Sequence, residues 1–372
     1  MRYFSMFTGI GGFELGIKQA YELQEMEVKP TNSSNVEGRA SQHSERSLCV
    51  GFSEIDKYAI SVYKYHFPNI KNYGDATKIV PSTLPDFDLL TGGFPCQAFS
   101  IAGKRKGFDD TRGTLFFDIA RIVKEKRPKY LLLENVKGLL SHDEGRTFKT
   151  ILSTLDELRY DLQWQVLNAK NHGVPQNRER VFIVGHLRGE PRPKVFPLGE
   201  GYAEDDESRI LAHTVNSSDW RGGNRNQRQT TIEQLNNPTH SNDRLYGTDG
   251  VSPTLNTAQG GNRQPKIIAK RNDGMEVEMT EANAVTPDAY LASGKRKVVN
   301  GKTKLTSMFE RRIRRLTPLE CERLMGFPDN WTKYGEGNVP ISDTQRYKMC
   351  GNAVVVNVVK DIMNKLLSPK EK

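Results

Sequence analysis

The sequence predicts an α/β fold: a parallel sheet with helices on both faces, joined to a smaller, mostly irregular or β segment before the chain returns to the first unit. Three observations carry this. Short apolar runs alternate with amphipathic helical stretches through the first half. The run YLLLENV lacks polar alternation, as a strand covered on both faces does. From about 191 to 311 the pattern changes to Gly, Asn, Gln, Thr and Arg, with short strand-like pieces and no βα units. A chain of 372 residues can bury two separate cores. The larger domain is predicted at 1–190 and 343–372, the smaller at 191–342, including a capped helix at 317–325.

Taken in order, the first strand is predicted at 3–7 and runs into Phe7-Thr8-Gly9-Ile10-Gly11-Gly12, then Gly16. Glycines here let the backbone turn tightly and approach a ligand, although the spacing is not that of a dinucleotide site. Residues 27–47 are polar and aperiodic, a loop between the first helix and a second strand at 48–52. That strand leads into Glu54-Ile55-Asp56, where an acid suits ribose hydroxyls. A third strand at 87–90 opens onto TGGFPCQAFS, which holds Cys96 behind Pro95 at the mouth of the sheet, the place for a nucleophile.

Leu115, Ile119, Ile122 and Val123 share one helical face after a possible Thr114 cap. The strand at 130–133 ends in Glu134-Asn135-Val136 and sets a carboxylate at the same mouth. Phe148, Ile151, Leu152, Leu155 and Leu158 form another helical face. QNRER then precedes a strand at 180–185 and puts Arg178 and Arg180 on one side of it by the two-residue period. Near the end, LTPLECERLMGFP carries Thr317 as cap, Pro318 in the first turn, Glu320 completing a capping box and Gly326 as stop. The closing KMCGNAVVVNVVKDIMNKLL reads as one apolar helix packed back on the first domain.

Composition narrows the partners. Lys and Arg number 54 against 45 Asp and Glu, a net +9, which favours an anionic partner. Cys49, Cys96, Cys321 and Cys350 stand far apart, with no metal-ligand spacing and no disulfide pattern, so no metal is expected. No apolar run approaches membrane-spanning length, and the opening residues are not expected to act as a leader. A soluble, cytoplasmic protein is expected.

FTGIGG, FSEID, GDAT, GGFPCQ, ENV, QNRER, RRLTPLECERLMGFP and GNAVVV, in that order along nearly the whole chain, resemble the bacterial and phage cytosine-C5 DNA methyltransferases. The resemblance implies a Rossmann-like sheet of the S-adenosylmethionine (SAM)-dependent methyltransferase kind with a target-recognition domain. It implies that Phe7, Gly9, Gly11 and Gly12 line the SAM pocket, Glu54 holds the ribose, and Asp75 binds the adenine amino group. Asn352 and Val354 would close the pocket. Ile55 stands where the family often has an aromatic residue against adenine. S-adenosylhomocysteine is the implied product and double-stranded DNA the implied partner, with a monomer and a possible companion restriction endonuclease by the same analogy.

The implied chemistry answers the poor nucleophilicity of cytosine C5. Cys96 thiolate adds to C6 while Glu134, as the acid, hydrogen-bonds or protonates N3, and electron density collects at C5. A free thiol has a pKa of about 8.5, so positive charge must assist its ionisation; Arg178 and Arg180 are the candidate cations. By resemblance Arg180 contacts the cytosine carbonyl and Arg178 supports the carboxylate and loop. The base must flip out of the duplex. Gln97, Ser100, Lys104, Arg105 and Lys106 lie in a segment that could close over DNA and contact phosphates.

Residues 186–315 hold 21 Lys and Arg against 16 Asp and Glu, more than half the net charge. RGGNRNQRQ and QGGNRQPK echo each other there, and Arg225 and Arg263 are candidates for reading guanine edges. An RNA cytosine-C5 methyltransferase on the same scaffold is the nearest alternative, and the long 191–311 region argues for DNA. A nicotinamide-dependent oxidoreductase leaves Cys96 and the paired arginines unexplained. An inactive DNA-binding module is disfavoured by Cys96 and Glu134.

Overall fold

Alternate residues of the central strands point to opposite faces, and each face has its own apolar core in the computed structural model. The structure describes residues 1–28, 48–95, 115–198, 245–246, 252–255, 266–270 and 311–368. Strands β1 (Arg2–Met6), β2 (Leu48–Ser53), β3 (Leu89–Gly93), β4 (Tyr130–Val136), β5 (Tyr160–Asn168) and β7 (Glu179–Leu187) form one sheet in the order β2-β1-β3-β4-β7-β5. The two-residue β6 (Gln176–Asn177) lies outside it. On one face, Leu132, Phe182 and Val184 pack with helices α1 (Gly12–Val28), α2 (Lys57–His66) and α7 (Val356–Leu367). On the other, Leu131, Leu133, Val181 and Ile183 pack with α3 (Leu115–Lys126) and α4 (Arg146–Glu157).

The expected parallel sheet is mixed. β1, β2, β3 and β4 are parallel, but β7 runs antiparallel to both neighbours, with Glu134 opposite Phe182 and Val136 opposite Arg180. The physical reason is the connection. β5 returns to β7 through a single turn at Ala169–His172 and β6, with no crossover helix, and a short return can only reverse direction. β5 itself escaped the sequence reading because its polar Gln163 and Gln165 interrupt the apolar pattern. Both amides are buried and clamp the main chain of Val195, Phe196 and Leu198, so that 195–198 joins the core.

Two further expectations change. α1 extends to Val28 and so takes the first two residues of the loop expected at 27–47; the rest of that loop lies outside the described residues. The single C-terminal helix is two, α6 (Asp343–Asn352) and α7, broken at 353–355, where Ala353 adopts extended ψ 153. The break lets this segment lie against α1. A Cβ on Gly12 would stand 2.9 Å from the Val354 carbonyl, and one on Gly16 2.9 Å from that of Val356.

The capped helix appears as read: α5 (Pro318–Leu324) has the Thr317–Glu320 capping box. Its Leu324 packs in the same core as α1 and α7, together with Leu316 before it and Met325, Phe327 and Trp331 after it. Elsewhere in 191–342, β10 (Lys266–Lys270) lies between β11 (Arg311–Arg315), antiparallel, and β8 (Leu245–Tyr246), parallel. β9 (Ser252–Pro253) pairs instead with β6. Among the described residues no helix is long and apolar enough to cross a membrane.

Candidate active site

Phe7 and Glu54, just after β1 and β2, and Glu134, near the end of β4, fall at the carboxyl end of the sheet, the edge where parallel α/β sheets take ligands. After β1 the chain turns through Phe7, Gly9 and Gly11 with φ of 53°, 58° and 89°, and a side chain at Gly11 would also strike the Phe67 ring. Space above Gly9 is open: no heavy atom lies within 4 Å of where its Cβ would be. The Gly9 amide donates to Glu54 Oε2 at 2.9 Å, and the amides of Ile55 and Asp56 donate to Glu54 Oε1, each at 2.9 Å. Three main-chain donors therefore fix one carboxylate beside the glycine turn.

Ile55 is 73% exposed at this place. Asp75 is half-buried and accepts from the Thr77 amide and hydroxyl, bonds that hold its carboxyl below the usual range. Asn352 ends α6 exposed, and Val354 is buried against Gly12. The structure thus ties Glu54 and the backbone of Ile55 to the glycine turn and packs Val354 on Gly12 of the same turn.

Sequence reasoning missed the residues that hold this arrangement in shape. Asn72 accepts from the amides of Glu54 and Gly74 and donates to the Glu54 carbonyl, tying the Asp75 loop to β2. Trp331 donates to the Ile10 carbonyl at 2.9 Å and stacks on His66. Beneath the turn, Glu14 is buried and accepts from Thr8 at 2.7 Å and Tyr63 at 3.3 Å. Burial raises its carboxyl pKa, with the hydrogen bonds opposing. Glu14 had a legible signal, an acid on the apolar face of an amphipathic helix; Asn72 and Trp331, distant in sequence from their partners, had none.

Glu134 lies in β4 opposite Gly93, whose missing side chain leaves room: a Cβ there would be 3.2 Å from Glu134 Oε2. Its carboxylate pairs with Arg180 Nε at 3.0 Å, the two side chains being 13% and 17% exposed. Burial raises the Glu134 pKa, while the charges of Arg180 and Arg178 pull it down. Beside it Asn135 donates to the Phe94 carbonyl at 2.8 Å, which pins the chain where it leaves β3 towards Pro95. Arg178 behaves differently from Arg180. It is 3% exposed and donates to the carbonyls of Leu255, Gly351 and Ala353, touching Glu134 only through the reach of its charge.

Cys96, Gln97, Ser100, Lys104, Arg105, Lys106, Arg225 and Arg263 lie outside the described residues. The other three cysteines are buried. Burial pushes the thiols of Cys49 and Cys321 up to about 12 and that of Cys350 well above its ordinary value, so none is a ready thiolate. No group of three or more potential metal ligands occurs among the described residues.

The sequence matches the profile of the C-5 cytosine-specific DNA methylases over residues 1–368. It is 38% identical to the type II methyltransferase M1.ScrFI of Lactococcus lactis subsp. cremoris, across 99% of this chain and 78% of that one. Identity to M.HhaI of Haemophilus parahaemolyticus is 36%, across 97% and 93%. In fold it is similar to the Dnmt2 methyltransferase of S. pombe, with a TM-score of 0.59 at 17% identity, covering 99% of this chain and 98% of that one. A glycine turn facing an amide-held acid, a carboxylate–arginine pair at the next strand ends and a full-length sequence match agree: the chain belongs to the C-5 cytosine-specific DNA methylases.

Proposed function

We propose that this protein methylates C5 of a cytosine flipped out of duplex DNA, with Cys96 as nucleophile, Glu134 as acid and SAM as methyl donor. The observation that carries the reading is the Glu134–Arg180 pair, whose Glu134 lies opposite Gly93, itself three residues before Cys96 in the chain. A carboxyl group whose burial favours the neutral form can donate to ring N3 as the Cys96 thiolate adds to C6. Arg180 keeps that carboxyl oriented and supplies a donor for the cytosine carbonyl. Cys96 is also the cysteine left once the three buried, high-pKa thiols are set aside.

The opening beside Glu54 fits the donor. Its free space over Gly9, amide-held carboxylate, exposed Ile55 and nearby Asp75 offer, in turn, close backbone approach, an acceptor for ribose hydroxyls, an apolar face for adenine and an acceptor for its amino group. Bound there, SAM supplies an electrophilic methyl group at its sulfonium. Lys104, Arg105 and Lys106 are assigned to phosphates and Arg225 and Arg263 to bases, on their sequence setting alone.

Trapping tests the reading. On duplex DNA containing 5-fluorocytosine the wild type should form a denaturation-resistant protein–DNA adduct, because fluorine at C5 cannot leave as a proton does. Cys96→Ala should form none and methylate nothing, while still binding SAM in calorimetry. An adduct with the Ala variant would remove Cys96 from its role.

A further inference from the structure

Arg178 occupies a place that the cytosine chemistry does not explain. Its guanidinium is almost fully buried without a carboxylate bonded to it, an arrangement that costs free energy unless its donors are satisfied. Nη1 donates to Leu255 at 3.1 Å, and Nη2 donates to Gly351 at 3.1 Å and Ala353 at 2.9 Å. Both Nη atoms are thus committed to main-chain carbonyls, and Nε is buried with no partner among the described residues.

The three carbonyls belong to two segments with different neighbours. Gly351 and Ala353 can accept because α6 ends at Asn352 and leaves its last carbonyls without helical partners. This helix break also seats Val354 on Gly12 of the glycine turn, and Lys348 of α6 pairs with Asp56 at 2.6 Å, two residues beyond Glu54. Leu255 ends the short stretch 252–255 that docks on β6 from within the segment assigned to target recognition. The docking is specific: the Ser252 amide donates to the Pro175 carbonyl at 2.7 Å, Thr254 Oγ1 to the Asn177 carbonyl at 2.6 Å, and the Leu255 amide to Gln176 Oε1 at 3.3 Å. Gln176 in turn donates to the Leu324 carbonyl at the end of α5.

We propose that Arg178 is a positioning residue that couples target recognition to the cofactor side of the site, its planar fork holding the stretch 252–255 and the helix break at 351–355 as one piece. Moving either segment breaks its bonds to the guanidinium that also holds the other, so a ligand that orders one favours the geometry that the other ligand needs. The coupling is reciprocal by linkage. Lysine cannot replace it, since one ammonium on a flexible stem does not present two parallel pairs of donors in a plane. The inference rests on the function proposed above, and it assigns Arg178 no contact with substrate.

The test measures S-adenosylhomocysteine affinity by calorimetry with and without a duplex whose target has been established by bisulfite sequencing, so that the methylation reading stands or falls beforehand. In the wild type the duplex should tighten binding by about 10-fold, within the usual range of coupling between sites. Arg178→Lys should bring that factor below about twofold while changing affinity in the absence of DNA by less than about threefold. It should also raise KM for DNA more than it lowers kcat. Thr254→Val, an isosteric change at an exposed position, should reduce the factor at an unchanged melting temperature, and it decides the matter if Arg178→Lys does not fold. A wild type without coupling, or a folded variant that keeps the full factor, overturns the proposal.

Discussion

Glu134 is pulled in two directions, and the balance sets how the enzyme should respond to pH. Burial favours its neutral acid, while Arg180 at 3.0 Å and the charge of Arg178 favour the carboxylate; burial is the larger effect and the pKa rises. A raised acid keeps its proton to higher pH than a free carboxyl, so the donor to N3 that we propose it supplies is present at low pH and lost as pH climbs through the raised value. The Cys96 thiolate works the other way and grows with pH. Single-turnover methylation should therefore rise and then fall, and Glu134→Gln should abolish the descending limb. It should also slow the reaction by roughly 10²–10⁴-fold, as loss of a general acid does, with DNA affinity changed much less. Persistence of the same descending limb in the Gln variant would assign that ionisation to another group.

At the scale of elements, the close contact between α1 and the segment after the helix break is what brings Val354 to the glycine turn. Gly16 permits it, because an added Cβ would lie 2.6 Å from Val359 Cβ and 2.9 Å from the Val356 carbonyl, neither the loose end of a flexible side chain. Gly16→Ala should gain about 1 kcal/mol of helix propensity. Overpacking should cost about 1–3 kcal/mol and outweigh that gain, so the variant should be less stable. Urea unfolding should show a lower midpoint with an unchanged slope; an equal or higher midpoint would mean that the two helices separate freely. Elements with a local cause were legible in the sequence: the capping box at Thr317–Glu320, the glycine turn after β1 and the apolar β4. Those whose cause is tertiary were not. β5 hides behind buried Gln163 and Gln165, whose partners lie some 30 residues on, and the break at 353–355 interrupts an apolar run where Val354 packs closely on Gly12 and Ala353 accepts from Arg178. The same holds for the site, where Glu54, Glu134 and the turn announce themselves at strand ends, while Asn72 and Trp331 work through residues far away in the chain.

Across the whole molecule, packing offers a sharper place to separate recognition from catalysis than the change in composition near residue 191. Val195, Phe196 and Leu198 are sealed onto β5, and Leu316 through Trp331 share the core of α1 and α7, so we place the exchangeable segment at 199–315. The catalytic unit must accept a flipped cytosine in any sequence context, whereas base contacts carry the choice of neighbours and phosphate contacts mainly position the enzyme. Grafting 199–315 into a related methyltransferase should thus transfer this protein's target with most of the activity retained. A graft of 191–342 should fare worse even if it carries the same base-reading residues, because it also exchanges Trp331, which supports Ile10 in the glycine turn, and Phe327, which faces Gly12. The narrow graft should keep its host's SAM affinity and the wide one should lose part of it. Within the narrow segment, replacing Arg225 or Arg263 should relax one target position by about 1–3 kcal/mol if it pairs with guanine. Replacing Lys104 or Lys106 should weaken binding to all duplexes alike and make its salt dependence shallower. Bisulfite profiles and cofactor calorimetry on the two chimeras decide the boundary: a narrow graft that keeps its host's target, or a wide graft that binds SAM as its host does, would show that the line between reading and catalysis runs elsewhere.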